Sequence, residues 1–148
     1  MLIKDIMTQD VITVNPTTSV HKLAELFVEK NIAGAPVIDD SGKLLGIVKE
    51  EDIVYKDKKI DPQTFMDLTM GVLTFAIDRY KEEIKKIKAS KVIDIMRKNI
   101  TVVSPGMAVE EAANMMIEKQ IYYFPVVEAN KLVGVITKKD IVRSIARV

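Results

Sequence analysis

The chain has 148 residues, 48% of them hydrophobic and 29% charged, with a formal net charge of +1. This is the composition of a folded chain with one ordinary core, and the near-neutral balance gives no general pull towards nucleic acid or an acidic membrane. Cysteine is absent and histidine occurs once, as His21, which excludes disulfides and thiolate metal sites and leaves a transition-metal centre unexpected.

In chain order, Ile3-Lys4-Asp5-Ile6-Met7 comes first. Lys4 and Asp5 interrupt any leader-like apolar run, and no stretch reaches the ~20 apolar residues that span a bilayer, so a cytoplasmic protein is expected. Val11 to Val14 is a short β-rich run closed by Asn15-Pro16. Thr17, Thr18 and Ser19 supply N-caps for a helix from Val20 to Ile32, where Val20, Leu23, Ala24, Phe27 and Val28 recur at helical spacing. His21 sits beside Lys22 on the polar face of that helix. Ala35 to Ile38 and Leu44 to Val48 read as two strands joined by the turn Asp39-Asp40-Ser41-Gly42. A helix resumes at Glu50.

Residues 56–90 have a different pattern. Lys56-Asp57-Lys58-Lys59 is a solvated charge run, and Pro62 suits the first turn of a helix that continues to about Ala89, with Gly71 a kink. From Phe65 to Ile77 apolar residues run nearly all round, including Met70 and Leu73. One stripe is enough for a surface helix, so this segment is expected to cap the module or to hold a partner chain.

The first pattern then returns. Asp94-Ile95-Met96, Val103-Ser104-Pro105, Phe124-Pro125-Val126-Val127, Leu132-Val133-Gly134-Val135-Ile136 and Asp140-Ile141-Val142 match their counterparts at an offset of 89 up to Asp39/Glu128, and of 88 from Lys43/Lys131 onward. One residue is lost in the turn. The second repeat reads as a strand at Thr101 to Val103, a helix from about Met107 to Gln120, strands at Phe124 to Val127 and Leu132 to Thr137, and a helix from Lys138. Each repeat alone would be marginal; two packed together make one core with two equivalent clefts.

Strand-helix-strand-strand-helix, duplicated, with Asp-Ile-Met ahead of it and Gly-Val-Ile-Thr-x-x-Asp at its end, resembles the cystathionine-β-synthase (CBS) domain family. The resemblance implies an α/β (α+β) fold of tandem CBS domains, a Bateman module, with repeat 1 at residues 1–57, a helical insertion at 58–90 and repeat 2 at 91–148. It also implies a regulatory, non-catalytic role: binding of AMP, ADP or ATP, or of S-adenosylmethionine or a cyclic dinucleotide, with no cofactor required. It further implies a homodimer and an unidentified regulated protein. No serine or cysteine nucleophile stands beside a base in a recognisable motif, which agrees with a non-enzyme.

Thr137-Lys138-Lys139-Asp140 opens the last helix. Threonine and the acid three residues on form a capping box. The same geometry offers free amides to phosphate and a carboxylate to ribose hydroxyls, which is the role the resemblance gives to Thr137 and Asp140. Asp140→Ala is expected to leave folding nearly intact and to cost ligand binding on the order of 1.5–3 kcal/mol. Repeat 1 has Lys49-Glu50-Glu51-Asp52 at this place, with lysine for the hydroxyl. By resemblance each cleft is mixed. Cleft A combines Thr137, Lys139 and Asp140 with Met7, Ile12, Ile32 and Ala33. Cleft B combines Lys49, Glu51 and Asp52 with Met96, Thr101, Ile121 and Tyr122. Thr137 against Lys49, and Ala33 against Tyr122, make the two clefts unequal. A rival reading is a constitutive dimerisation module with vestigial clefts, for which Lys49 and Tyr122 speak. A nucleic-acid binder would need a basic surface that the neutral charge does not supply.

Overall fold

The structure is a computed structural model and describes residues 1–54, 81–82 and 90–147. The helical segment expected from Pro62, with Gly71 and the apolar run Phe65 to Ile77, lies outside these residues, except that Lys81 and Glu82 are helical. Repeat 1 contains α1 (Ile3–Ile6), α2 (Val20–Lys30), β1 (Gly34–Ile38), β2 (Leu44–Lys49) and α3 (Glu50–Val54). Repeat 2 contains α4 (Val92–Ile95), α5 (Val109–Lys119), β3 (Tyr123–Glu128), β4 (Lys131–Thr137) and α6 (Lys138–Ala146).

Each repeat builds one antiparallel hairpin, β1 on β2 and β3 on β4, with Pro36 opposite Ile47 and Pro125 opposite Val135. The expected first strands shrink to single parallel bridges, Val14 with Val37 and Val103 with Val126. Asn15-Pro16 and Ser104-Pro105 follow at once, and a proline adds no amide to a ladder, so pairing stops after one residue. The one-residue difference between repeats sits in the hairpin turns. In repeat 1, Asp39 Oδ1 accepts from the Ser41 hydroxyl at 2.6 Å and from the amides of Ser41 and Lys43, and Gly42 has φ +85°. The Ser41 hydroxyl, and after it the Lys43 amide, holds the Asp39 carboxyl below its usual range. In repeat 2, Ala129 (φ 49°) and Asn130 (φ 62°) make a two-residue turn inside the pair Glu128–Lys131.

Helix α2 starts where Ser19 accepts the Lys22 amide at 3.1 Å and ends at Asn31 with φ 50°. Its counterpart α5 starts at Ala108, which has no side-chain cap, and ends at Gln120 with φ 54°. His21 is exposed and lies 2.9 Å from Glu25, as a surface histidine.

The two cores exchange their leading segments. Ile3, fully buried, belongs to the cluster of Val103, Ala112, Met116, Phe124, Val126 and Ile136 in repeat 2. Val92, also fully buried, belongs to the cluster of Val14, Leu23, Phe27, Ala35, Val37 and Val48 in repeat 1. Backbone bonds secure both crossings. Ile3 N donates to Met107 O at 2.9 Å, and Thr8 pairs with Val135 through bonds of 2.9 and 3.0 Å. Val92 N donates to Thr18 O at 2.8 Å, and Arg97 pairs with Ile47 through bonds of 2.8 and 3.0 Å. In each Asp-Ile-Met motif the aspartate turns the arm: Asp5 accepts the Leu2 amide at 2.8 Å and Asp94 the Lys91 amide at 2.9 Å. The methionine then reaches a glycine of the other repeat. A methyl on Gly134 would stand 2.8 Å from Met7 Sδ and 2.9 Å from the Thr8 carbonyl oxygen; one on Gly46 would run into the Arg97 carbonyl oxygen. Here glycine is required for close approach of two backbones.

Candidate functional site

Each arm delivers its last side chain to an aspartate on the other repeat. At α6, Asp140 is 3% exposed and its two carboxylate oxygens take four donors. Oδ2 accepts the Thr137 amide and the Thr137 hydroxyl, both at 2.8 Å. Oδ1 accepts the Thr8 hydroxyl at 3.1 Å from repeat 1 and Arg143 Nη1 at 3.1 Å from the next turn of α6. The Asp140 amide returns to Thr137 Oγ1 at 3.4 Å, closing the capping box. Two functions of one carboxylate are therefore superposed here: it caps its own helix and ties down the arm of the other repeat. The expectation that Asp140→Ala leaves folding nearly intact has to reckon with this network, because its loss would leave the Thr137 amide and Arg143 without their acceptor.

At α3 the arrangement is related but charged. The Lys49 amide donates to Asp52 Oδ2 at 2.8 Å, and Arg97 Nε donates to Asp52 Oδ1 at 2.8 Å. The same guanidinium reaches Glu51 Oε1 through Nη2 at 3.2 Å. Arg97 is the counterpart of Thr8, one residue after the methionine in each arm. The ammonium of Lys49, half-buried, is held below its usual range by burial first and by the charge of Arg97 second.

Of the residues expected in cleft A, the structure joins Thr137 and Asp140, while Met7 crosses over Gly134 and packs on the repeat 2 core. Lys139 is exposed in the first turn of α6. Ile32 packs on the core of its own repeat. Ile12 is half-buried, two residues before the Val14 bridge. Ala33 is exposed, and its carbonyl accepts the Glu50 amide at 3.0 Å, which places it at the start of α3. Of cleft B, the structure joins Lys49, Glu51 and Asp52, with Met96 near Gly46. Ile121 packs on the repeat 2 core, and Thr101 is half-buried two residues before Val103. Tyr122 was expected beside Asp52. The contacts it makes are at the other helix start: its carbonyl accepts the Lys138 amide at 3.3 Å, and Lys138 Nζ lies 5.4 Å from its ring centre.

Three residues of these networks were not read as members from the sequence: Thr8, Arg97 and Arg143. Aligning the repeats past Asp-Ile-Met would have singled out the Thr8/Arg97 pair. Tyr123 lies where its ring edge would be 3.7 Å from a methyl on Gly34, its own counterpart in repeat 1. Burial, and after it the Asp140 charge, pushes its phenol above the ordinary 10.0. A separate open hollow of about 220 Å³ lies towards the hairpin turns, between Gln9, Val11 and Thr13 of repeat 1 and Lys131, Leu132 and Val133 of repeat 2. It contains neither aspartate. Among the described residues no group of three or more His, Cys, Asp or Glu is placed to hold a metal ion, and no helix is long and apolar enough to cross a membrane.

The CBS domain model matches residues 3–59 and 92–147, which are the two units just described. The chain belongs to the CBS domain family. Its relatives include a protein of similar length and longer ones. It is 32% identical over 154 residues to the uncharacterized protein MJ1426 of Methanocaldococcus jannaschii, covering 98% of this chain and 91% of that one. It is 34% identical over 148 residues to the chloroplastic CBS domain-containing protein CBSX2 of Arabidopsis thaliana, covering 95% of this chain and 61% of that one. The crystal structure of CBSX2 in complex with AMP matches with a TM-score of 0.75 at 31% identity, over 99% of this chain and 96% of that one. The CBS domain pair of MJ0100, solved with 5-methylthioadenosine and S-adenosyl-L-methionine, matches with a TM-score of 0.71 at 25% identity, over 98% and 99%. The tandem CBS fold of the present chain is thus established, and CBS pairs similar to it hold adenosine compounds.

Proposed function

We propose that this CBS pair is a non-catalytic sensor that binds an adenine nucleotide and reports it to a partner protein. The observation that carries this reading is Asp140, a buried carboxylate at a helix start, shared between a capping threonine of its own repeat and the arm of the other. A ribose offers hydroxyl donors that can take the place of the Thr8 hydroxyl and of Arg143 on Oδ1. Exchange of donors on one carboxylate converts ligand binding into release of an inter-repeat tie, and regulation needs only that the ligand prefer the released state. The AMP held by CBSX2 and the S-adenosylmethionine held by MJ0100 support an adenosine ligand. AMP, ADP and ATP are the first candidates, S-adenosylmethionine and a cyclic dinucleotide the next, and no cofactor is required.

The module acts as a homodimer in this reading. Val28 on α2 and its counterpart Ile117 on α5 are 82% and 70% exposed, and Val54 on α3 and its counterpart Val142 on α6 are 68% and 63% exposed. Internal symmetry therefore repeats one apolar face twice, and a second copy of the chain offers the same two faces in return, which closes a two-fold assembly. The rival, a constitutive assembly module with vestigial clefts, is favoured by one observation: both oxygens of Asp140 are already engaged. Calorimetric titration with AMP separates the two readings, since a saturable binding heat is expected of a sensor and none of a vestigial cleft.

A further inference from the structure

Positions 8 and 97 are equivalent in the duplication, and each places its side chain on the aspartate of the opposite repeat. The two occupants differ in kind. Thr8 offers one neutral hydroxyl at 3.1 Å, which a ribose hydroxyl can replace in kind. Arg97 offers a guanidinium that bridges two carboxylates, Asp52 at 2.8 Å and Glu51 at 3.2 Å. The Arg97 contact joins full opposite charges at two points, whereas the Thr8 hydroxyl makes one bond to one carboxylate oxygen, so displacing Arg97 takes the bridging guanidinium from two acids at once. The Lys49 ammonium feels the charges of Arg97, Glu51 and Asp52, while the hydrogen bond from Lys49 to Asp52 runs through its backbone amide.

We infer that Arg97 is a built-in occluder of the second cleft, so that the residue one position after the arm methionine decides whether a CBS cleft of this chain accepts a ligand. This deepens the proposed adenine-nucleotide function and rests on it. In the chain as it stands, the cleft at Asp140, tied across the repeats by Thr8 and holding Arg143 of its own helix on one oxygen of one carboxylate, accepts AMP, and the cleft at Asp52, where Arg97 of the opposite arm bridges two carboxylates, is closed to it at the same concentration. The inequality between clefts then follows less from Thr137 against Lys49 than from what the opposite arm inserts.

The test is calorimetric titration of the full chain with AMP, in the wild type and in two variants that remove the guanidinium: Arg97→Thr, which copies the Thr8 arrangement, and Arg97→Gln, which keeps a polar stem of similar reach. Circular dichroism melting checks that each variant is folded. The wild type is expected to bind one AMP per chain. Both variants are expected to bind a second, with affinity at that cleft raised on the order of tenfold or more, the factor of one charge-assisted hydrogen bond. The reverse exchange, Thr8→Arg, is expected to weaken the first event by a similar factor. Two equal events in the wild type, or a single unchanged event in a folded Arg97→Thr and Arg97→Gln, overturns the inference while leaving nucleotide binding intact. No binding by any form overturns it together with the function on which it rests.

Discussion

At the scale of single residues, Asp140 combines two duties that the sequence displays separately. Thr137-Lys138-Lys139-Asp140 is legible as a capping box, and the box is present. What the tetrapeptide cannot display is the donor 132 positions away in the chain, the Thr8 hydroxyl. The lesson for mutagenesis is that Asp140→Ala disturbs fold and site together. Asp140→Asn keeps an acceptor for the Thr137 amide but loses the charge opposite Arg143. It is expected to lower unfolding free energy by about 1–3 kcal/mol, measured by urea denaturation; an unchanged midpoint would show that the network adds no stability. Tyr123 gives a pH signature. Its folded-state pKa is raised above 10.0, so the folded form retains a proton that the unfolded form loses. The stability this confers is complete below pH 10.0 and is lost as pH climbs towards the raised value. Lys49 has the opposite sign, since its lowered pKa makes stability rise with pH as the unfolded chain approaches 10.5. Tyr123→Phe is therefore expected to flatten the alkaline decline in melting temperature above pH 10.0. An identical decline in the variant would mean that other groups cause it.

At the scale of elements, helices and hairpins were readable because their signals are local. The spacing of Val20, Leu23 and Phe27, the Ser19 cap and the Asp39 to Gly42 turn all act within a few residues, and the resulting elements start and stop close to where these signals lie. The first strands were over-read. Val11 to Val14 has strand composition, but Asn15-Pro16 permits only the Val14 bridge. The arms were not legible at all, because nothing in Ile3-Lys4-Asp5-Ile6-Met7 reveals that Ile3 will be buried in the core of the other repeat. The glycines opposite the methionines mark that crossing. Gly134→Ala is expected to cost about 1–3 kcal/mol, an overpacking penalty at the Met7–Thr8 crossing. Gly46→Ala is expected to cost more, since a methyl there runs into the Arg97 carbonyl oxygen more closely than one on Gly134 approaches the Thr8 carbonyl oxygen. Chemical unfolding of both variants checks the order; equal, negligible losses would mean that the arms move aside freely.

At the scale of the whole molecule, the duplication explains why the module has paired carboxylates, paired arms and paired apolar faces. That symmetry was plain in the sequence, and so was a difference between the clefts at Thr137 against Lys49 and Ala33 against Tyr122; the difference between Thr8 and Arg97 was not, since it depends on which arm meets which aspartate. The exposed faces at Val28 and Val54, and at Ile117 and Val142, are expected to be covered in a dimer. Replacing Ile117 and Val142 by glutamate places charges there while removing no core contact, and should shift the mass seen by light scattering from dimer to monomer. A variant that remains dimeric would move the interface elsewhere. The central claim is that Asp140 is a ligand anchor as well as a structural tie. Its most direct test is calorimetry of AMP with the wild type and with folded Asp140→Asn, below the melting temperature of both. The account requires saturable binding by the wild type, weakened on the order of tenfold or more in the variant, as expected for a charge-assisted hydrogen bond made neutral. Equal AMP affinity in the two proteins, or no binding heat in the wild type, would contradict it.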